Sequence, residues 1–255
     1  MKFWRNRKKL IEQQHDEFGR VAIYERNGLR HLVFAEDMEQ SCSNPHMPHW
    51  LEYQYARAML LGATLVREPE SALFLGLGSG SLTNACLHLF DSLYDVEVIE
   101  LRSLVVEMAS KHLAFNPEDK RLTMRIGDAH QLLQDASPAD LIFMDMYDES
   151  GPANGHLAWS FLRQCRAKLN PGGWLIINQW ATPGNQPLGA PLLRGAFEHH
   201  YWEIPVKEGN VILLVPQDLE QKLFLQPLRL AGKHLEVNLG YKCGNILQQL
   251  RKCSC

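Results

Sequence analysis

Four short stretches of the chain carry residue types that can hold a nucleoside. Gly76-Leu-Gly-Ser-Gly80 follows the apolar run Ala72 to Leu75 and precedes Leu82, Ala85, Cys86 and Leu89, a stripe at helical spacing. A ligand-binding turn between strand and helix must bend sharply and bring backbone close to the ligand, and glycine permits both because it has no Cβ. About 20 residues on, Glu100 ends the run Val96 to Ile99, the position from which a carboxylate grips the two hydroxyls of a ribose. Gly127-Asp128-Ala129 ends a third run, where an Asp side chain and the following amide can read an adenine edge. Asp145 ends a fourth, with Asp148 three residues beyond. Stations at successive strand ends line one crevice, the usual ligand site of an open α/β sheet.

The elements that must position these stations follow from periodicity. Ala72 to Leu75, Val96 to Ile99, Leu122 to Ile126, Leu141 to Met144 and Trp174 to Ile177 read as strands buried on both faces. Helical stripes alternate with them, Leu104, Val105, Met108 and Ala109 after the second and Ala158, Phe161, Leu162, Cys165 and Leu169 after the fourth. Asn170-Pro-Gly-Gly173 is expected to stop the latter helix. His200 to Pro205 and Val211 to Val215 read as an antiparallel pair around Gly209-Asn210. Near the amino terminus, two β-like runs within residues 20 to 34 flank Asn27-Gly28, a strong hairpin signal. The expected division is a small β-hairpin appendage over 1–50, a Rossmann-like nucleoside-binding catalytic domain over 51–216, and a C-terminal helical tail over 217–255 with helices at Leu219 to Leu230 and Ile246 to Leu250.

Composition narrows the function classes. A chain of 255 residues, 45% apolar and 22% charged, can bury a substantial core unaided. Its 18 Gly, 13 Pro and 6 Cys argue against collagen, extended disorder and a disulfide-stapled fold. A net charge of −3 speaks against broad binding to nucleic-acid phosphates. No apolar run approaches the roughly 20 residues that cross a bilayer. The basic cluster over residues 2 to 9 runs through Leu10-Ile11 straight into Glu12, so it reads as a solvated end and not as a secretory signal. A cytoplasmic protein with reduced thiols is expected. Cys243, Cys253 and Cys255 lie near His234 but lack the paired spacing of a zinc site, so no metal is expected.

An acid ending strand two suits both dinucleotide and S-adenosylmethionine sheets, whereas Asp145 and the turn Asn170-Pro-Gly-Gly173 are typical of the latter. The expected fold is therefore α/β and Rossmann-like, an adenosylmethionine-methyltransferase-type sheet with a small N-terminal β appendage. The segments Ala72 to Gly80, Val98 to Leu101, Arg125 to Ala129, Asp140 to Ala153 and Leu169 to Gly173 resemble the spermidine synthase (polyamine aminopropyltransferase) family. Glu39-Gln-Ser41 and Tyr53-Gln54 add to that likeness, which covers roughly residues 20 to 216 and is most specific from Asp145 to Ala153.

The resemblance implies that Gln40 and Glu100 hold the ribose, Asp128 and Ala129 the adenine, and Asp148 the amine acceptor, with Asp145 as general base and Tyr53 and Gln179 as further substrate contacts. It implies aminopropyl transfer from decarboxylated S-adenosylmethionine to a small amine or polyamine in a homodimer. The chemistry agrees, because an amine of pKa about 10 must lose its proton before it attacks the carbon beside a sulfonium. Two nearby carboxylates also attract a polycation and orient it. Family members carry an acid in the glycine loop where this chain has Ser79. Serine removes that charge and tolerates the carboxylate of ordinary S-adenosylmethionine, so a methyltransferase or other transferase of the same fold, or a non-catalytic nucleoside-binding homologue, stays open. No acid follows Gln179, where the family uses a glutamate for the acceptor. Tyr147 and Trp180 read as aromatic lining.

Overall fold

Four strands open the chain, β1 (Lys9–Asp16), β2 (Gly19–Arg26), β3 (Leu29–Phe34) and β4 (Met38–Ser43), paired antiparallel in that order. Asn27 and Gly28, at φ 56° and 79°, reverse the chain between β2 and β3 with Arg26 opposite Leu29, a turn whose twist suits a hairpin. β1 and β4 extend that hairpin and were not legible in the pattern: Lys-Leu-Ile-Glu-Gln-Gln-His-Asp and Met-Glu-Gln-Ser-Cys-Ser are too polar to alternate. Backbone pairing recruits them instead. The structure, a computed structural model, describes residues 8–35, 38–148, 151–152, 155 and 157–253, with the side chains at 38, 148, 151 and 152 outside that description.

The body continues with α1 (Gln54–Ala63), β5 (Ser71–Leu75), α2 (Ser81–Leu89), β6 (Asp95–Glu100), α3 (Ser103–His112) and β7 (Leu122–Ile126). There follow α4 (Ala129–Leu132), β8 (Ala139–Met144), the short pair β9 (Tyr147–Asp148) and β10 (Gly151–Pro152), α5 (Trp159–Ala167) and β11 (Leu169–Trp180). The chain ends through α6 (Ala190–Ala196), β12 (Trp202–Pro205), β13 (Asn210–Pro216), α7 (Leu225–Leu239), α8 (Gly244–Gln248) and β14 (Arg251–Lys252). The main sheet runs β14-β12-β13-β11-β8-β5-β6-β7. β11, β8, β5, β6 and β7 are parallel, and β13 is antiparallel to both β11 and β12. Successive connections lead outward in one direction through β6 and β7 and in the other through β8 and β11. The crevice above the carboxyl ends of β5 and β8 is the switch point where such sheets bind ligands.

Both faces of the sheet are covered, which is why its strands read as unbroken apolar runs. Phe74, Phe143 and Ile176 pack on one side with α1, α2 and α3, and Val21, Ile23, Leu32 and Phe34 of the N-terminal sheet join the same core. Leu75, Ile142 and Leu175 pack on the other side with Phe161, Leu162 and Cys165 of α5.

Two expectations are adjusted. α5 ends at Ala167, so Leu169 is not its last apolar residue but opens β11 opposite Ala139, and Asn170-Pro-Gly-Gly173 lies inside β11 as a break in register against β8 between Leu169 and Trp174. A Cβ on Gly173 would come within 2.7 Å of Asp140 O, so glycine lets the two strands close up there. In the tail, the first helix begins at Leu225 and runs to Leu239. Leu228, Leu235, Tyr241, Cys243 and Ile246 bury in the main core, and β14 adds an edge strand on β12 with Arg251 ion-paired to Glu203 at 2.9 Å. Among the described residues no helix is long and apolar enough to cross a membrane. No described group of three or more His, Cys, Asp or Glu side chains could hold a metal ion, and Cys255 lies outside the described residues.

Candidate active site

A cavity of about 560 Å³ lies at the switch point. Its floor is the β5–α2 turn, with Gly76, Gly78 and Ser79 in the lining. Gly76 takes φ 94°, and a Cβ there would fall 2.3 Å from Asp145 O, so the turn needs glycine for both conformation and space. Gly80, at φ 75°, precedes α2 and turns against Phe115 without lining the cavity. Ser79 is buried. Its N–H donates to Ser41 Oγ at 2.8 Å, and its hydroxyl lies 3.1 Å from Cys42 O and 2.9 Å from Ser81 Oγ, so the loop is stitched to the end of β4.

The strand-end stations converge on the same cavity: Glu100, Asp128, Ala129 and Asp145 all line it. Glu100 Oε2 accepts from Leu77 N–H at 2.9 Å and Oε1 from Arg102 N–H at 3.0 Å. A carboxylate has about four acceptor sites, so each oxygen retains capacity for a hydroxyl. Burial raises the Glu100 pKa while those backbone donors and the Arg102 charge oppose it. Asp128 caps α4, its Oδ1 accepting from His130 N–H at 2.9 Å.

Asp145 stands at the carboxyl end of β8. Its Oδ1 accepts from Asn178 Nδ2 at 2.8 Å, and Asn178 Oδ1 accepts from Asn210 Nδ2 at 2.9 Å. Burial pushes the Asp145 carboxyl up to about 6, with the Asn178 hydrogen bond pulling the other way. Tyr55 and Tyr147 line the cavity beside it, and burial, then the Asp145 charge, raise both phenols. Tyr147 faces Trp180, ring centroids 5.9 Å apart, and Tyr53 stacks on Tyr55 at 5.8 Å.

Of the other expected contacts, Gln40 and Tyr53 line the cavity, with the Tyr53 hydroxyl donating to Glu39. Gln179 is not brought to it. It is fully buried in β11, and its Oε1 accepts from Trp180 N–H at 2.9 Å. Side chains alternate along a strand, so the neighbouring Asn178 is the one that meets Asp145. Asp148 pairs with Gly151 across β9 and β10; its side chain, with Glu149, Ser150 and Ala153, lies outside the described residues.

Sequence reasoning missed Asn178, Tyr55 and Arg102. Arg102 donates to Asp16 Oδ2 and Oδ1 at 3.0 and 2.7 Å and to Gly19 O at 2.9 Å, with its guanidinium 4.6 Å from the Phe34 ring. It thereby pins the β1–β2 turn over the Glu100 end of the cavity. No local pattern marks a partner 86 residues away.

A doubly wound sheet with a glycine turn at its switch point and acids at successive strand ends defines a methyltransferase-like Rossmann fold with its ligand crevice at that point. Within that class the chain belongs to the spermine/spermidine synthase family, whose domain profile matches residues 54–185. It is 23% identical over 214 residues to the polyamine aminopropyltransferase of Vibrio vulnificus, covering 80% of this chain and 71% of that one. It is 28% identical over 189 residues to that of Thioalkalivibrio sulfidiphilus, covering 70% of this chain and 62% of the relative. Among solved structures, a probable spermidine synthase from Corynebacterium glutamicum superposes with TM-score 0.74 at 18% identity, covering 88% of this chain and 86% of the other. A spermidine synthase in complex with the transition-state analogue AdoDATO gives 0.68 at 18% identity, covering 83% and 74%. These structural likenesses bear on the fold.

Proposed function

We propose that the protein transfers an aminopropyl group from decarboxylated S-adenosylmethionine to an amine or polyamine, releasing 5′-methylthioadenosine. The observation that carries this reading is Asp145, a cavity carboxylate at the end of β8, pushed up to about 6 and oriented by Asn178. Such a group is ionised at neutral pH and close enough to it in pKa to accept a proton from an attacking amine. The sulfonium of the donor makes the adjoining carbon electrophilic. Asp145 takes the amine proton as the amine nitrogen bonds to that carbon, and the C–S bond breaks with its electron pair on sulfur. Glu100 and Gln40 hold the ribose and Asp128 and Ala129 the adenine, while Tyr53 and Asp148 orient the acceptor. Tyr147 and Trp180 present faces that suit a passing cation. We further assign the protein to the cytoplasm as a homodimer acting on small amines and not on nucleic acid, in keeping with its net charge of −3.

Incubation of the purified chain with decarboxylated donor plus putrescine, cadaverine or spermidine is expected to yield methylthioadenosine; no product with any amine overturns the reading. A related prediction concerns Asn178. Its hydrogen bond favours the ionised form of Asp145, so Asn178→Ala is expected to move the acid limb of kcat/KM above pH 6 and to reduce kcat by about tenfold. A pH–rate profile checks the direction, and a limb displaced to lower pH contradicts it.

A further inference from the structure

One fixed point sets the direction of the hydrogen bonds that lead to Asp145: the backbone carbonyl of Asn178. That oxygen can only accept, and Tyr147 donates its hydroxyl to it at 3.2 Å. With its proton committed there, the phenol oxygen meets its other neighbour, the Asn210 side chain, as an acceptor. Asn210 therefore turns its amide NH2, and not its oxygen, toward Tyr147 and Asn178. Its Nδ2 lies 2.9 Å from Asn178 Oδ1, so Asn178 accepts on that side. The other half of the Asn178 amide, Nδ2, then faces Asp145 Oδ1 at 2.8 Å.

The sheet builds this relay. β11 and β13 are antiparallel, with Trp180 opposite Asn210 and Asn178 opposite Ile212, so Asn178 and Asn210 are diagonal neighbours on one face. An unrestrained asparagine amide has two orientations, a half-turn apart, that fill the same volume. In the second one Oδ1 would face Asp145, and only a protonated carboxyl could donate to it. No charge beside Asp145 makes that choice. Burial and Asn178 are what act on Asp145 itself. The titratable groups around it are Tyr55 of α1 and Tyr147 of β9, phenols raised by burial and then by the Asp145 charge. Tyr55 also feels Cys42 and Glu208, and Glu208, in the β12–β13 turn, accepts from Gln54 N–H at 3.0 Å.

We infer that Tyr147 and Asn210 are positioning residues, which together lock the Asn178 amide so that it presents a donor to Asp145 and holds that carboxylate in its base form. This deepens the aminopropyl-transfer reading and rests on it for what the base does; the lock itself needs no turnover.

Carbon-13 nuclear magnetic resonance of the full chain reads the lock directly, with the Asp145 carboxyl assigned by its absence from Asp145→Asn. Asn210→Ala frees the Asn178 amide to turn over, so the titration midpoint of Asp145 is expected to move above its wild-type value. Tyr147→Phe should move it the same way by less. The ratio of kcat/KM at pH 8 to that at pH 5 should rise about three- to tenfold in Asn210→Ala, whereas a merely structural loss lowers both alike. In Asn178→Ala, which has no amide to orient, adding Asn210→Ala should move the midpoint no further. An unmoved midpoint in Asn210→Ala, or an undiminished further shift on the Asn178→Ala background, overturns the inference. If the wild-type chain turns over no amine while the midpoints move as stated, the reaction reading falls and the lock stands.

Discussion

Asp145→Asn is expected to lower kcat by about two to four orders of magnitude, with binding of methylthioadenosine retained. The amide is isosteric and still accepts the hydrogen bond from Asn178 Nδ2 that Asp145 accepts at 2.8 Å, but it cannot take a proton. In the wild-type chain the base works only when ionised, so kcat/KM should rise as pH rises through about 6 and level off above it. Stability should change in the opposite sense. The carboxyl titrates near 3.8 when unfolded and near 6 when folded, because burial disfavours its charge. Its relative stabilising contribution is thus complete below 3.8 and lost as pH rises through about 6. Asparagine carries no charge to desolvate, so at neutral pH the inactive variant should melt above wild type. Differential scanning calorimetry at pH 5 and 7 reads this, and a variant that melts lower at pH 7 would show that Asp145 is held by interactions beyond Asn178.

Gly76→Ala is the second large effect. Alanine must adopt φ 94° and place its Cβ 2.3 Å from Asp145 O, a backbone atom that cannot rotate away. Strain and clash together should cost about 2–4 kcal/mol, roughly 5–15 °C in melting midpoint for a chain of this size. Any relief separates the ends of β5 and β8 and displaces the Asp145 backbone, so donor affinity should fall with stability. Gly28→Ala serves as the control, since Gly28 has φ 79° but nothing within 4 Å of an added Cβ, leaving only left-handed strain of about 1–2 kcal/mol. Equal losses in the two variants would mean that close approach at Gly76 contributes nothing.

The parallel strands were legible because each is buried on both faces and so reads as an apolar run, Ala72 to Leu75 and Leu141 to Met144 among them. The glycine turn and the acids Glu100, Asp128 and Asp145 were legible because a doubly wound sheet puts ligand groups at strand ends. β1 and β4 were not, since their polar side chains carry no periodic signal and their pairing is made by the backbone.

By itself, then, the amino-acid sequence determined the succession of parallel strands in the main sheet, the turn that approaches a ligand, and the carboxylates delivered to one crevice. These are properties of local patterning, set by which residues can be buried and which can bend. The tertiary structure alone decided which polar groups meet. Pairing of β11 with β8 in the register Ile177 to Met144 sets Asn178, and not Gln179, against Asp145. Packing of the N-terminal sheet on α3 joins Asp16 to Arg102 and ties Ser79 to Cys42. Each of these contacts spans dozens of residues, and its geometry follows from closure of the whole sheet, which no local period encodes.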